Sequence, residues 1–202
     1  LLKLELDQLN FLKGFSVENS SIRAILSDRK LALLQGLIGG ALSGIGILTD
    51  GIWLMPLGLA FLWAASRFNF TGALWGLVAV LVSHSWLLAL HPLMWIGVPG
   101  ILSLPIALGI WIFCGLFGGF LVWIWSSIGK GLKVVSANEI DLRRNFFFVF
   151  LMAAIWGLGE VVLARLPFFW IGVGGSVLPS DRILAGIARW TGAGGLAMVQ
   201  LL

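Results

Sequence analysis

Charged residues are scarce in this sequence, and their scarcity excludes an ordinary soluble domain. Only 11% of the 202 residues are charged, whereas 59% are hydrophobic and the mean hydropathy is +1.03. A soluble domain usually carries about 25% charged residues, because a less polar surface does not stay hydrated. The 11 Trp and 27 Gly also suit membrane proteins, which place Trp at the lipid interface and Gly at helix crossings. The composition therefore predicts an all-α fold, a polytopic bundle of transmembrane helices.

Cysteine and histidine are also rare, and this limits the chemistry that the chain can perform. The one cysteine, Cys114, excludes an internal disulfide and a cysteine-based metal cluster, and its apolar surroundings predict a structural thiol. His84 and His91 are seven residues apart, about 10 Å along a helix, which is too far for both to bind one metal. We therefore expect no metal and no cofactor. The net charge of +4 gives no reason to expect a nucleic-acid partner.

Hydropathy divides the chain into a mixed polar N-terminal segment, residues 1–30, and a membrane-spanning domain, residues 31–202. Leucines at helical spacing between residues 2 and 12 predict an amphipathic helix that lies on the membrane surface. The apolar runs predict about six spans, at residues 31–48, 52–66, 72–90, 101–128, 145–164 and from about 190 onwards. The first residue is Leu and the last run is still apolar at residue 202, so we expect the sixth span to be truncated.

The distribution of Lys and Arg orients these predicted spans. Ten of the 13 fall on the side of the N-terminus, and three fall on the other side: Arg165, Arg182 and Arg189. An excess of cations marks the cytoplasmic side. The N-terminus is therefore predicted to be cytoplasmic, with Glu160 and Trp170 at the outer leaflet.

Small residues recur at four-residue spacing in two of the predicted spans. Gly36, Gly40 and Gly44 form a ridge in the first span, and Gly115 and Gly119 form a shorter one in the fourth. Such ridges let helix backbones approach closely in lipid. We interpret them as packing within one bundle rather than as a dimerisation motif.

Glu160 and His84 are the ionisable residues within apolar runs that could perform chemistry. Such residues are costly in a membrane and usually face the protein interior or a wet cavity. Glu160 is equally interpreted as a functional group or as a structural cap or ion pair with Arg165, and His84 is more simply a hydrogen-bonded neutral imidazole. Two functions remain open on this basis: a small proton-coupled transporter, in which both residues face one cavity, and a non-catalytic membrane anchor.

The stretch IWGLGEVVLARLPFFWIGVGGSVLPSDRILAGIARWTGAGG, residues 155–195, resembles apolipoprotein N-acyltransferases. In that family a Trp precedes a Glu by four residues, an Arg follows, then a Pro-Trp element and a Gly, and a G-x-x-G opens the next helix. The residues that fit this order are Trp156, Glu160, Pro167, Trp170, Gly174, Gly192 and Gly195.

The resemblance implies an acyltransferase of lipoprotein maturation in the bacterial inner membrane. Such an enzyme moves an acyl chain from a phospholipid to the N-terminal amine of a diacylglyceryl-cysteine lipoprotein, through a Glu-Lys-Cys triad in a nitrilase-like periplasmic domain. No such domain is recognised in these 202 residues, so we expect no catalytic residue here and no activity from this chain alone. Its expected role is to anchor that domain and to shape a lateral lipid entrance, lined by Glu160, Trp156, Trp170, Arg165 and Gly174.

Overall fold

The computed structural model describes residues 27–51, 53–132, 142–165, 172–177 and 182–202. Every regular element within these residues is helical, which confirms the predicted all-α class. The predicted amphipathic helix near the N-terminus lies outside the described residues. Six α-helices are described, with these bounds: α1 Ser27–Thr49, α2 Leu54–Ala65, α3 Asn69–Ser83, α4 Gly100–Gly131, α5 Leu142–Leu163 and α6 Arg182–Leu201.

Three of these helices are long and apolar enough to cross a membrane: α1, α4 and the part of α5 from Asn145–Leu163. The apolar helices α2 and α3 are shorter, at 12 and 15 residues. Twelve residues rise about 18 Å, less than the roughly 30 Å of a hydrocarbon core, so α2 alone is too short for the span predicted at residues 52–66. After α3 the chain continues through two 3-10 segments, Ser85–Leu90 and Leu93–Ile96, before α4 begins.

Helix α3 lies between α1 and α4, and glycines allow this close packing. An added Cβ at Gly40 of α1 would lie 2.6 Å from the carbonyl oxygen of Trp75 and 2.9 Å from Cβ of Val78, both in α3. Gly36 and Gly44 face α3 in the same way, as does Gly119 of α4. The predicted glycine ridges therefore pack within the chain, as expected from close approach of backbones in lipid.

Four tryptophans form a chain of edge-to-face contacts through the core, which we call the tryptophan cluster. Trp63 contacts Trp125, with 5.1 Å between ring centroids, Trp125 contacts Trp156 at 5.4 Å, and Trp156 contacts Trp75 at 6.1 Å. Three of the indole N–H groups donate to backbone carbonyls: Trp63 to Leu201, Trp75 to Gly58 and Trp125 to Met152. The expectation that Trp lies at the lipid interface is wrong for these four, because backbone acceptors inside the bundle satisfy the indole donor.

Helix α6 begins at Arg182, before the point near residue 190 where the sixth span was predicted, and it is interrupted at Gly192. Gly192 has φ of 65° and ψ of −175°, a conformation that favours glycine. The residues after this kink enter the bundle, where Leu196 and Ala197 are buried. Gly194 meets Gly157 of α5 backbone to backbone, so α5 and α6 are packed closely.

We expect Gly40→Ala to destabilise the bundle by about 1–3 kcal/mol, the usual cost of overpacking a tight contact. The added methyl would press on the backbone of α3, which cannot move as a side-chain tip can. The matched control is Gly109→Ala in α4, where an added Cβ meets nothing within 4 Å. Unfolding by SDS titration in micelles measures the difference, and equal midpoints for the two variants would contradict the assigned α1–α3 contact.

Candidate functional site at the end of α5

Glu160 is buried near the C-terminal end of α5, with 5% of its surface exposed. Trp156 lies four residues earlier, and this spacing puts both side chains on one face of the helix. The indole N–H of Trp156 donates to Oε1 of Glu160 over 2.8 Å. The Trp-x-x-x-Glu pattern of the sequence thus forms a direct hydrogen bond.

The other partners of Glu160 are backbone amides of an irregular segment, residues 172–177, which follows α5 in the sequence. The N–H of Val173 donates to Oε1 over 2.7 Å, and the N–H of Gly174 donates to Oε2 over 3.0 Å. Both oxygens therefore act as acceptors, the role of an ionised carboxylate. Residue 172 is glycine because a Cβ there would collide with the Glu160 carboxylate.

The carbonyl of Val173 is also satisfied inside the protein. It accepts bonds from Nε2 of Gln200 in α6 over 2.8 Å and from Oγ of Ser176 over 2.6 Å. Val173 itself is 4% exposed and belongs to the same core as Trp75 and Met55. Irregular backbone is tolerated at membrane depth only where protein groups replace water as hydrogen-bond partners. Glu160, Gln200 and Ser176 provide those partners.

A groove of about 170 Å³ lies between α4 and α5 beside this site. It is open on one side, because α4 packs along α3 while making few contacts with α5. Trp156 and Glu160 form part of its wall, and the remaining lining is apolar. The other lining residues that matter below are Leu121, Ile124 and Ile128 of α4 and Ile155, Gly159 and Leu163 of α5. Ile124 and Ile128 remain partly exposed at its rim.

The structure brings together three of the five residues predicted to line a lipid entrance. Glu160 and Trp156 line the groove, and Gly174 binds Glu160 through its N–H without lining the groove. Arg165 is exposed beyond the end of α5, and in the described part of the chain it forms no ion pair with Glu160. The fifth residue, Trp170, lies outside the described residues. The cap interpretation of Glu160 is therefore the one that the geometry matches.

Sequence reasoning missed the residues that hold the far side of the irregular segment. Ser176 and Gln200 were not singled out, although Gln200 is a polar side chain within an apolar run, and such residues usually face a partner inside the bundle. The contact between Val173 and Glu160 had no side-chain signal at all, since it uses a backbone amide.

His84 lies in a different environment from Glu160. Its Nδ1 is 2.9 Å from Oγ of Ser83, and its ring lies 6.4 Å from that of Trp86. The oxygens of Glu160 are bound to Trp156, Val173 and Gly174. A transporter with a His–Glu proton pair would need both groups to face one water-filled cavity, and these contacts do not favour that arrangement.

The fold and site define a helical membrane protein in which a buried carboxylate holds an irregular segment beside an apolar groove. Sequence comparison then gives the family. The chain is 56% identical over 176 residues to the apolipoprotein N-acyltransferase of Prochlorococcus marinus strain MIT 9313, which covers 87% of this chain and 35% of that protein. It is 48% identical to the protein of the same name from strain SARG and 46% identical to that of Parasynechococcus marenigrum, over 89% and 86% of the chain. The chain belongs to the apolipoprotein N-acyltransferase family, which confirms the resemblance seen in the sequence.

The chain spans about 36% of the length of the second and third of these relatives. No protein-family profile matches the sequence. No solved structure matches it either.

We expect Glu160→Gln to loosen the irregular segment without unfolding the helices. An amide has one acceptor oxygen, so its NH₂ group would face one of the three N–H donors and leave it unpaired, at a cost of about 1–3 kcal/mol. Hydrogen exchange at the Val173 and Gly174 amides should become at least tenfold faster, since about 1.4 kcal/mol corresponds to a factor of ten.

The control is Asp50→Asn, which removes a carboxylate of similar chemistry from an exposed turn after α1. Asn tolerates the positive φ of this position, so exchange at residues 173 and 174 should not change. Unaltered protection of these two amides in Glu160→Gln would show that the carboxylate does not hold the segment.

Proposed function

We propose that this chain is the membrane part of an enzyme that transfers an acyl chain from a phospholipid to the N-terminal amine of a diacylglyceryl-cysteine lipoprotein. The relatives named apolipoprotein N-acyltransferase support this assignment. They are close to three times as long as the segment they share with this chain, which fits a division of labour. The described helices anchor the enzyme in the bacterial inner membrane, with the N-terminus on the cytoplasmic side. The reacting Glu, Lys and Cys belong to a part of the enzyme outside these 202 residues.

The observation that carries the proposal is the groove between α4 and α5. Its apolar walls suit a lipid tail, and its volume of about 170 Å³ holds roughly five or six methylene-sized groups. Because lipid tails are as apolar as the groove, moving a tail from the bilayer into it changes the free energy little. Such a groove admits and releases acyl chains and does not trap them, which is what a lateral entrance requires.

The position of Glu160 links this entrance to the irregular segment. Trp156 and Glu160 form groove wall on one side and hold residues 173 and 174 on the other. In this proposal Glu160 is a positioning residue: it keeps the segment in place beside the route of the acyl chain. Cys114 has no part in the reaction, because it is a lone thiol in α4 and a nucleophilic thiol needs an activating base beside it.

Filling the groove should reduce lipoprotein acylation. Gly159 lines the groove, and an added Cβ there meets nothing within 4 Å, so Gly159→Leu places a side chain in the groove without a clash. We expect the intact enzyme with this change to lose at least tenfold of its N-acylation rate, measured by mass spectrometry of a lipopeptide acceptor. A tenfold loss corresponds to about 1.4 kcal/mol of transition-state stabilisation.

The control is Gly109→Leu, the same substitution at an exposed position of α4 that also has open space around it. This variant should insert into the membrane and acylate at the normal rate. Wild-type acylation by Gly159→Leu at equal protein level would rule out the groove as the entrance, and equal loss in both variants would show a general defect of the helices.

A further inference from the structure

The opposite end of the bundle carries a group of cations around one aromatic ring, which we call the Phe68 cation cluster. The guanidinium carbon of Arg29 lies 5.8 Å from the centroid of the Phe68 ring, and Nζ of Lys130 lies 5.9 Å from it. Arg67 precedes Phe68 in the turn between α2 and α3. The three cations thus come from the start of α1, the α2–α3 turn and the end of α4.

The ring and its neighbours hold the cations in place. A cation over an aromatic face is attracted by the ring quadrupole, by about 0.5–1 kcal/mol at exposed sites. Arg67 is fixed by bonds from Nε to the carbonyl of Ala64 over 2.9 Å and from Nη2 to Oε1 of Gln35 over 3.3 Å. The cluster is therefore a built arrangement on three helices, not a set of unrelated surface charges.

Negative charge is scarce at this end of the bundle. Of the acidic residues that the structure describes, Asp50 follows the other end of α1 and Glu160 is buried near the far end of α5. Asp28, beside Arg29, is the remaining one. Across the described ranges, neither Arg29 nor Lys130 forms an ion pair or donates a hydrogen bond, and both are exposed. Their charges are thus available to an external anion.

The helices next to the cluster are apolar on their exposed faces. Leu31 and Leu34 follow Arg29 in α1 and are 50% and 55% exposed, and Ile124 and Ile128 precede Lys130 in α4 and are 36% exposed each. Both helices are long and apolar enough to span a membrane. The cations therefore lie where the apolar part of each helix ends, which is the level of lipid headgroups.

We propose that the Phe68 cation cluster binds the headgroup of an anionic phospholipid. Such a molecule complements both features, because its phosphate meets the cations while its tails lie along the apolar faces of α1 and α4. Basic pockets between helices on the cytoplasmic side suit anionic headgroups, and each cation near the surface adds about 1 kcal/mol to the attraction. This site differs from the acyl entrance: it lies at the other end of the bundle and holds the lipid without reacting with it.

Native mass spectrometry of the intact protein in detergent tests the proposal, with phosphatidylglycerol as the anionic lipid and phosphatidylcholine as the neutral one. Arg29→Gln and Lys130→Gln should each weaken retention of phosphatidylglycerol about fivefold, and the double variant about 25-fold. Retention of phosphatidylcholine should not change. Neither substitution removes a hydrogen bond in the described structure, so folding should be preserved.

Two control variants separate this site from other causes. Arg189→Gln removes an exposed cation from α6, at the other end of the bundle, and should leave phosphatidylglycerol retention unchanged. Gly159→Leu fills the acyl groove and should also leave it unchanged. An equal loss in Arg189→Gln would mean that only net charge matters, and a loss in Gly159→Leu would place the retained lipid in the groove; either result overturns the proposal.

Inorganic phosphate distinguishes a lipid from a soluble anion. If the cluster recognises a phospholipid, millimolar phosphate should displace little phosphatidylglycerol, because the tails contribute to retention. Full displacement by phosphate, or full retention of phosphatidylglycerol by the double variant, would refute lipid binding at this cluster.

Discussion

Two backbone amides and one carboxylate determine how the end of this bundle is built. An irregular segment inside a membrane protein is stable only when its N–H and C=O groups have partners, since lipid offers none. Glu160 binds the N–H groups of Val173 and Gly174, and Gln200 and Ser176 bind the carbonyl of Val173. The cost of burying a carboxylate is thereby offset by three N–H donors in place of a cation. Without this carboxylate, residues 172–177 would have no reason to remain inside the bundle.

Glycine and tryptophan divide the bundle into closed and open seams. Where glycines face a neighbouring helix, as Gly40 does toward α3 and Gly157 toward α6, the backbones touch and the seam is closed. Where Trp125 and Trp156 meet edge to face, two large rings keep α4 and α5 apart, because a tight crossing in lipid needs small residues. The groove between α4 and α5 is therefore a direct consequence of which residue type occupies each interface.

The sequence predicted the parts of this structure that depend on periodic or local signals. The apolar runs predicted the helices, the glycine spacing predicted packing within the chain, and the Trp-x-x-x-Glu spacing put Trp156 and Glu160 on one face. The partners of Glu160 were not predictable, because Val173 and Gly174 contribute backbone amides, which every residue other than proline carries. Nor was the kink at Gly192 predicted, since glycine is also common in straight transmembrane helices. Contacts between distant segments depend on how helices pack, and one sequence does not encode that as a pattern.

The two ends of the bundle solve the problem of charge near lipid in opposite ways. At the end of α5 a carboxylate is buried and satisfied by protein donors, so it contributes rigidity and attracts no external ion. At the other end Arg29 and Lys130 stay exposed beside Phe68, where their charges act on whatever lies at the headgroup level. A lateral entrance works only if the helices that frame it keep their positions while lipids exchange. Helix α4 belongs to both regions: it forms one wall of the groove and ends at Lys130. A headgroup bound at Lys130 would hold α4 from below while acyl chains pass along its upper half, which is why a lipid that never reacts can matter to an enzyme that consumes lipids.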